Sequence, residues 1–238
     1  AIPGMVSPAT GLVKHANSTW LMGRPLEQDL ARALDRPVKL ANDANCFALS
    51  EAVDGAAKDA KVVFGGILGT GCGAGIVIDR KVVEGANAIA GEWGHIPVPW
   101  PDDSETPPVS CYCGRENCLE LYLSGTGLAR DHALITGHQI KAEEIAALDE
   151  AGDAEANATF ERFERRLAKS LSMIVTILDP DVIVLGGGLS NIDRIYRTVP
   201  QLMGDLVFGE ELSTRLARHV HGDSSGVRGA AWLWDDEE

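Results

Sequence analysis

Asp179-Pro180-Asp181-Val182-Ile183-Val184-Leu185-Gly186-Gly187-Gly188 decides the fold. A residue that precedes proline is pushed out of the helical region, so Asp179 marks the end of whatever helix comes before it. The unbroken apolar run from Val182 to Leu185 lacks the alternation of a half-exposed strand and reads as a strand buried on both faces. Glycines then turn the chain, and a helix is expected from about Asn191. Upstream, Phe160, Phe163, Leu167, Leu171, Ile174, Val175 and Leu178 recur at three- and four-residue spacing, an amphipathic helix that leads into the strand. Strand, glycine turn and helix in that order predict an α/β fold.

Working outward, residues 128–135 and 142–148 carry further helical patterns. Residues 62–68 and 74–78 are β-branched runs flanking Gly69-Thr70-Gly71-Cys72-Gly73, a hairpin with a glycine-rich tip, and Val82-Val83 adds a short strand. Between Gly85 and Ser110 the prolines 97, 99, 101, 107 and 108 exclude regular elements through much of the stretch, which reads as a long functional loop. Leu26 to Leu34 is a helical stripe, residues 38–41 alternate like a strand, and a second helix follows from Asn45 and ends near Gly55.

The chain has 238 residues, 45% hydrophobic and 24% charged, the make-up of a globular protein with a real core. Its 21 basic and 35 acidic residues leave a formal charge of −14, which disfavours contact with phosphate backbones and anionic lipid. Neither a membrane span nor a leader is apparent, and the expected location is cytoplasmic. Five cysteines, an odd number, argue against a disulfide framework.

Four groups of residues carry chemistry. Cys111, Cys113 and Cys118 fall within eight residues around a glycine turn, and His95 is the nearest upstream imidazole, a set suited to structural zinc. Asn42-Asp43 stands where a strand meets a helix, as cleft residues and helix caps both do. With Glu92 and Glu120 it makes a polar set able to bind sugar hydroxyls, with Asp43 as a candidate general base. Gly69, Thr70, Gly71 and Gly73 let the main chain approach an anion. So do Gly186, Gly187 and Gly188, which have the better nucleotide context because a buried strand leads in and a helix N-terminus leads out. The tip matches a loose dinucleotide pattern, but a strand follows it where that pattern needs a helix.

Asn42-Asp43-Ala44-Asn45-Cys46, the 69–75 hairpin tip, Gly91-Glu92-Trp93-Gly94-His95, Cys111-x-Cys113-Gly114-x-x-x-Cys118-x-Glu120 and the 179–188 stretch together resemble the ROK family of repressors and sugar kinases, nearly end to end. Residues 17–21, 92–100 and 221–232 look most like its fructokinases of the manno(fructo)kinase type, with N-acetylglucosamine kinases and glucokinases next. The resemblance implies an actin-like, ribonuclease-H-like fold of two lobes: residues 1–59 with 226–238 in the first, and 60–225, with the zinc-bound loop, in the second. It implies an ATP-dependent hexose kinase in which Asp43 is the base and Asn42, Glu92, His95 and Glu120 bind the sugar. Residues 69–73 face the ATP phosphates, 186–188 the adenosine, and Mg²⁺ accompanies ATP. His95 joins Cys111, Cys113 and Cys118 on zinc, and a homodimer is expected. Relatives open with an Asp-x-Gly-Gly-Thr-type phosphate loop before the strand that ends in Pro3-Gly4. The expectation is that this chain is a truncated product lacking those first strands and inactive alone. A repressor's sugar-sensing part and a zinc-stabilised sugar binder are the readings from other classes.

Overall fold

The computed structural model of the protein describes residues 1–16, 18–209 and 211–234. Asn17, which belongs to one of the quoted stretches, and the acidic end at 235–238 lie outside the described residues. In chain order the elements are β1 (Met5–Val6), β2 (Val13–Lys14), α1 (Leu26–Leu34), α2 (Asp43–Val53), β3 (Val62–Leu68), β4 (Cys72–Ile78), β5 (Lys81–Val82), α3 (Glu120–Leu123), α4 (Gly125–Thr136), α5 (Ala142–Glu150), α6 (Ala154–Leu178), β6 (Val182–Gly186), α7 (Asp193–Gly204), β7 (Arg215–Arg218) and α8 (Ser225–Trp232).

Strands form a mixed five-stranded sheet in the order β5-β4-β3-β6-β7. The glycine-tipped hairpin pairs antiparallel from Val62 opposite Ile78 to Leu68 opposite Cys72, while β6 runs parallel to β3 with Ile67 beside Gly186. That register brings both glycine turns to one edge of the sheet. As the unbroken apolar run predicts, every residue of β6 is buried. One sheet face is covered by α2, whose Phe47, Ala48 and Leu49 pack with Val63, Val77, Val182 and Val184. On the other face Phe64, Leu68, Ile183 and Leu185 meet Phe160, Phe163, Leu167 and Leu171 of α6 and Leu128 of α4.

Several expectations need correction. Residues 38–41 do not form a strand; Ile2 N–H donates to the Ala41 carbonyl, Leu40 N–H donates to Glu27 Oε2 at 3.1 Å, and the Ile2 carbonyl accepts from Asp43 N–H just beyond. Helix α2 ends on Asp54, and Gly55 is needed for another reason: a Cβ there would fall 2.3 Å from Glu51 Oε2. After Gly186 the chain makes a 3₁₀ turn over Gly188–Asn191, tightened by Ser190 Oγ donating to the Gly187 carbonyl at 2.6 Å, and α7 begins only at Asp193. The glycines therefore do not sit on an α-helix N-terminus. Strand β7 and helix α8 escape pattern reading, because Arg-Leu-Ala-Arg is charged at both ends and α8 contains Gly226 and Gly229. Among the described residues no helix is long and apolar enough to cross a membrane.

Candidate active site and metal centre

Asn42 caps α2: its side-chain oxygen accepts from Ala44 N–H at 2.9 Å and Asn45 N–H at 3.3 Å, and its amide nitrogen donates to the Gly4 carbonyl at 3.2 Å. Capping and a place in the cleft are thus one role, because the cap holds the first helical residue, Asp43, at the helix end. Burial pushes the Asp43 carboxyl above the ordinary carboxylate range, although N–H groups of Ala44 and of Asp43 itself oppose the shift. A carboxylate held closer to neutrality in this way accepts a proton more readily.

The 69–73 tip lies over this helix end, and a Cβ on Gly73 would stand 3.8 Å from the Ala44 Cβ. Glu92 and His95 arrive on a 3₁₀ turn pressed against β4 by two glycines. A Cβ on Gly94 would fall 2.0 Å from the Cys72 carbonyl oxygen, and one on Gly91, at φ +87°, 2.3 Å from that of Ala74. Trp93 fastens the turn, with Nε1 donating to the Gly73 carbonyl at 2.8 Å and its ring edge-to-face on Phe64 at 5.2 Å. Glu92 is pushed up, first by burial and further by the charges of Asp43 and Glu120, while His95 and His15 pull it down. Glu120 opens α3, and its Oε2 accepts from Cys72 N–H at 3.1 Å, bracing the tip from below. Beside Asn42 and Glu92 a cavity of about 210 Å³ also takes in Asn45, Glu27 and Glu84.

Residues 69–73 and 186–188 meet. Gly187 has φ +80°, and a Cβ on it would fall 2.6 Å from the Leu68 carbonyl and 2.8 Å from Gly69 N. Nothing stands within 4 Å of where a Gly188 Cβ would be, so the main chain there is open to a phosphate or a nucleoside. Sequence reading missed the third side of this surface, the start of α4. Gly125 N–H donates to the Gly69 carbonyl at 2.7 Å and Thr126 Oγ1 to the Thr70 carbonyl at 3.1 Å. The signal was present as Ser124-Gly125-Thr126-Gly127, a capping serine in a glycine-rich helix start.

One ligand atom from each of His95, Cys111, Cys113 and Cys118 lies within 4.8 Å of the others. Cys113 and Cys118 sulfurs are 3.5 Å apart, and Cys111 Sγ is 3.8 Å from His95 Nδ1. A tetrahedral shell with Zn–S bonds of about 2.3 Å has edges close to these, so the four donors fit zinc. Burial and the other two thiols push Cys118 up to about 12, a crowding that a cation relieves. Cys46 and Cys72 are buried away from the set.

Buried polar contacts hold this loop, and pattern reading found none of them. Arg166 of α6 donates to Glu105 Oε1 at 2.6 Å and Asp131 Oδ1 at 2.8 Å, and its guanidinium lies 4.7 Å from the centre of the Tyr122 ring. Tyr122 donates to Asn117 Oδ1 at 2.7 Å, and Asn117 Nδ2 to the Glu105 carbonyl at 3.1 Å.

The sequence profile of the ROK family matches residues 1–237. N-acetyl-D-glucosamine kinase of Yersinia pseudotuberculosis is 42% identical over 236 residues, which are 98% of this chain and 78% of that protein. The Vibrio cholerae protein of the same name is 43% identical over the same shares of both chains. Among solved structures, the ROK hexokinase of Thermus thermophilus superposes with a TM-score of 0.84 at 29% identity, over 97% of this chain and 75% of that one. A ROK glucokinase of Streptomyces griseus in complex with glucose and AMPPNP gives 0.82 at 26%, over 97% and 78%. A ROK transcriptional regulator, a homologue of the E. coli MLC protein, gives 0.83 at 25%, over 97% of this chain and 60% of that one.

Proposed function

The chain belongs to the ROK family and has the actin-like α/β fold of its sugar kinases, and from that membership we propose that it transfers the terminal phosphoryl group of ATP to a hexose. The observation that carries this reading is Asp43: a solvent-reachable carboxyl, partly desolvated and raised above its usual range, at a capped helix start beneath the glycine tip. A binding protein or sensor has no need of a half-desolvated base there.

Asp43 takes the proton of the attacking sugar hydroxyl as the hydroxyl oxygen moves onto phosphorus. Asn42, Glu92, His95 and Glu120 hold the remaining hydroxyls, fixing which one faces Asp43. The main chain at 69–73 supports the phosphates, and residues 186–188 with the start of α4 receive the nucleoside. Mg²⁺ with ATP supplies charge neutralisation on the phosphates. His95, Cys111, Cys113 and Cys118 close a structural zinc shell, so one residue links the metal to the sugar pocket. Residues 1–59 with 226–238 and residues 60–225 form the two lobes of this reading, and the active form is a cytoplasmic homodimer.

For the acceptor, the curated relatives favour N-acetyl-D-glucosamine over the fructose expected from sequence. D-fructose stays as the second reading, carried by residues 17–21, 92–100 and 221–232. Coupled phosphorylation assays with N-acetylglucosamine, fructose, mannose and glucose, run on this chain and on the product of its complete reading frame, test both. The expected outcome is transfer to N-acetylglucosamine with the highest kcat/KM. Highest kcat/KM with fructose installs the second reading, and absence of transfer to any hexose by the complete product overturns the kinase.

A further inference from the structure

We propose that the cavity beside Asn42 and Glu92 receives the acylamino group of an N-acylated hexose, with Asn45 as the residue that selects for it. The inference rests on the kinase reading above and deepens it. Three segments wall the cavity: β1 with Met5 and Val6, the run from Leu40 into the start of α2, and the 84–92 loop with Ala90. Ala90 N–H donates to the Glu84 carbonyl at 3.1 Å and closes that loop, while Lys14 Nζ of β2 donates to the Asn87 carbonyl at 2.8 Å and ties it to the β1–β2 pair. Asn42 and Glu92, which hold hydroxyls in the kinase reading, line the same space, so a substituent of the bound sugar can enter it.

Size and lining both exceed what a hydroxyl needs. About 210 Å³ is room for several water molecules. Met5, Val6, Leu40 and Ala90 give the cavity an apolar patch that suits a methyl group and offers a hydroxyl no partner. Asn45 stands beside this patch and is only 9% exposed. Its side-chain oxygen is shut off from solvent without a donor, and its amide nitrogen makes no hydrogen bond among the described residues. A buried amide without protein partners is costly to the fold and marks a place for a ligand or an ordered water. An acylamino group brings a carbonyl acceptor, an N–H donor and a methyl group together, so it meets the amide and the apolar patch at once. A hydroxyl in its place leaves the patch uncovered. The relatives named as N-acetyl-D-glucosamine kinases agree with this choice of substituent.

The test measures kcat/KM for N-acetylglucosamine and for glucose with the complete reading-frame product and two variants. Wild type should favour N-acetylglucosamine. Asn45→Asp keeps the shape of the side chain and suits a helix start, but cannot donate, and should lower the ratio of the two values about fivefold. Ala90→Leu fills the cavity from its apolar side and should lower the ratio about tenfold or more, with glucose affected less. Wild type alone supplies a further readout that needs no variant to fold: N-propionylglucosamine, one methylene longer, should be turned over within a few-fold of N-acetylglucosamine. Equal losses for both sugars in the variants, refusal of the propionyl sugar, or a wild type that does not favour N-acetylglucosamine over glucose overturns the proposal while leaving the kinase standing. No turnover of any hexose by wild type overturns both.

Discussion

The two walls of the cleft are built by different means. Asn42 and Asp43 stand on α2, a helix whose body packs on the sheet and whose start is closed by its own cap and by the Ile2 main chain. Opposite them, His95 and the cysteines lie on a run with little regular structure, fixed by glycine contacts with β4, by the Arg166–Glu105–Asp131 cluster and by four candidate metal donors. Hydrophobic burial places the proposed base, whereas buried ion pairs and the proposed ligation place the residues proposed to hold the substrate. Chemistry and grip should therefore fail separately when each wall is damaged.

The sharpest break between the walls is Asp43→Asn, which keeps the cap and the helix. Turnover should fall about a thousandfold while the sugar dissociation constant stays within a few-fold. Steady-state kinetics with calorimetric sugar binding check it, and retained turnover removes Asp43 from the base role. A smaller effect comes from the opposite wall. Cys118→Ser should lower zinc from about one per chain to near none and raise the sugar KM about tenfold or more. Far-ultraviolet circular dichroism, dominated by α2, α6 and the other helices, should be unchanged. Loss of the helical signal would show that the walls are not independent.

The mildest probe is pH. Because Asp43 must be ionised to accept a proton, kcat/KM should fall with acid through a pKa above the ordinary value of about 3.9. A profile flat to pH 4 contradicts this. Stability moves the other way: with the folded pKa raised, the native state binds more protons between the unfolded and folded values, so stability falls as pH rises through that window. Above it the penalty is fully present, and Asp43→Asn should melt slightly higher than wild type at neutral pH.

What pattern reading reached follows the same division. Apolar patterning marks α6, β3, β4 and β6, which face the core, and α1 by its stripe alone, since none of its residues is buried; the thiol spacing marks the metal set. Nothing local in sequence points to Arg166 pairing with Glu105, 61 positions away, or to Tyr112 reaching His95 across 17. Asn42 illustrates why the cap and cleft readings compete in sequence: its side chain caps α2, and only the placement of Glu92 beside it supports the second.

Helix α8 presses on α2 so closely that a Cβ on Gly229 would fall 1.7 Å from the Cys46 carbonyl oxygen. Buried Glu51 of α2 accepts from Val220 N–H, His221 N–H and Ser225 Oγ. The helix that carries Asp43 is thus finished by residues made some 170 positions later. During synthesis its outer face waits uncovered while the sheet strands β6 and β7 are still being added, so residues 220–232 act as a delayed fastener. A nascent chain stopped before α8 leaves the ribosome with α2 unsealed and open to quality control.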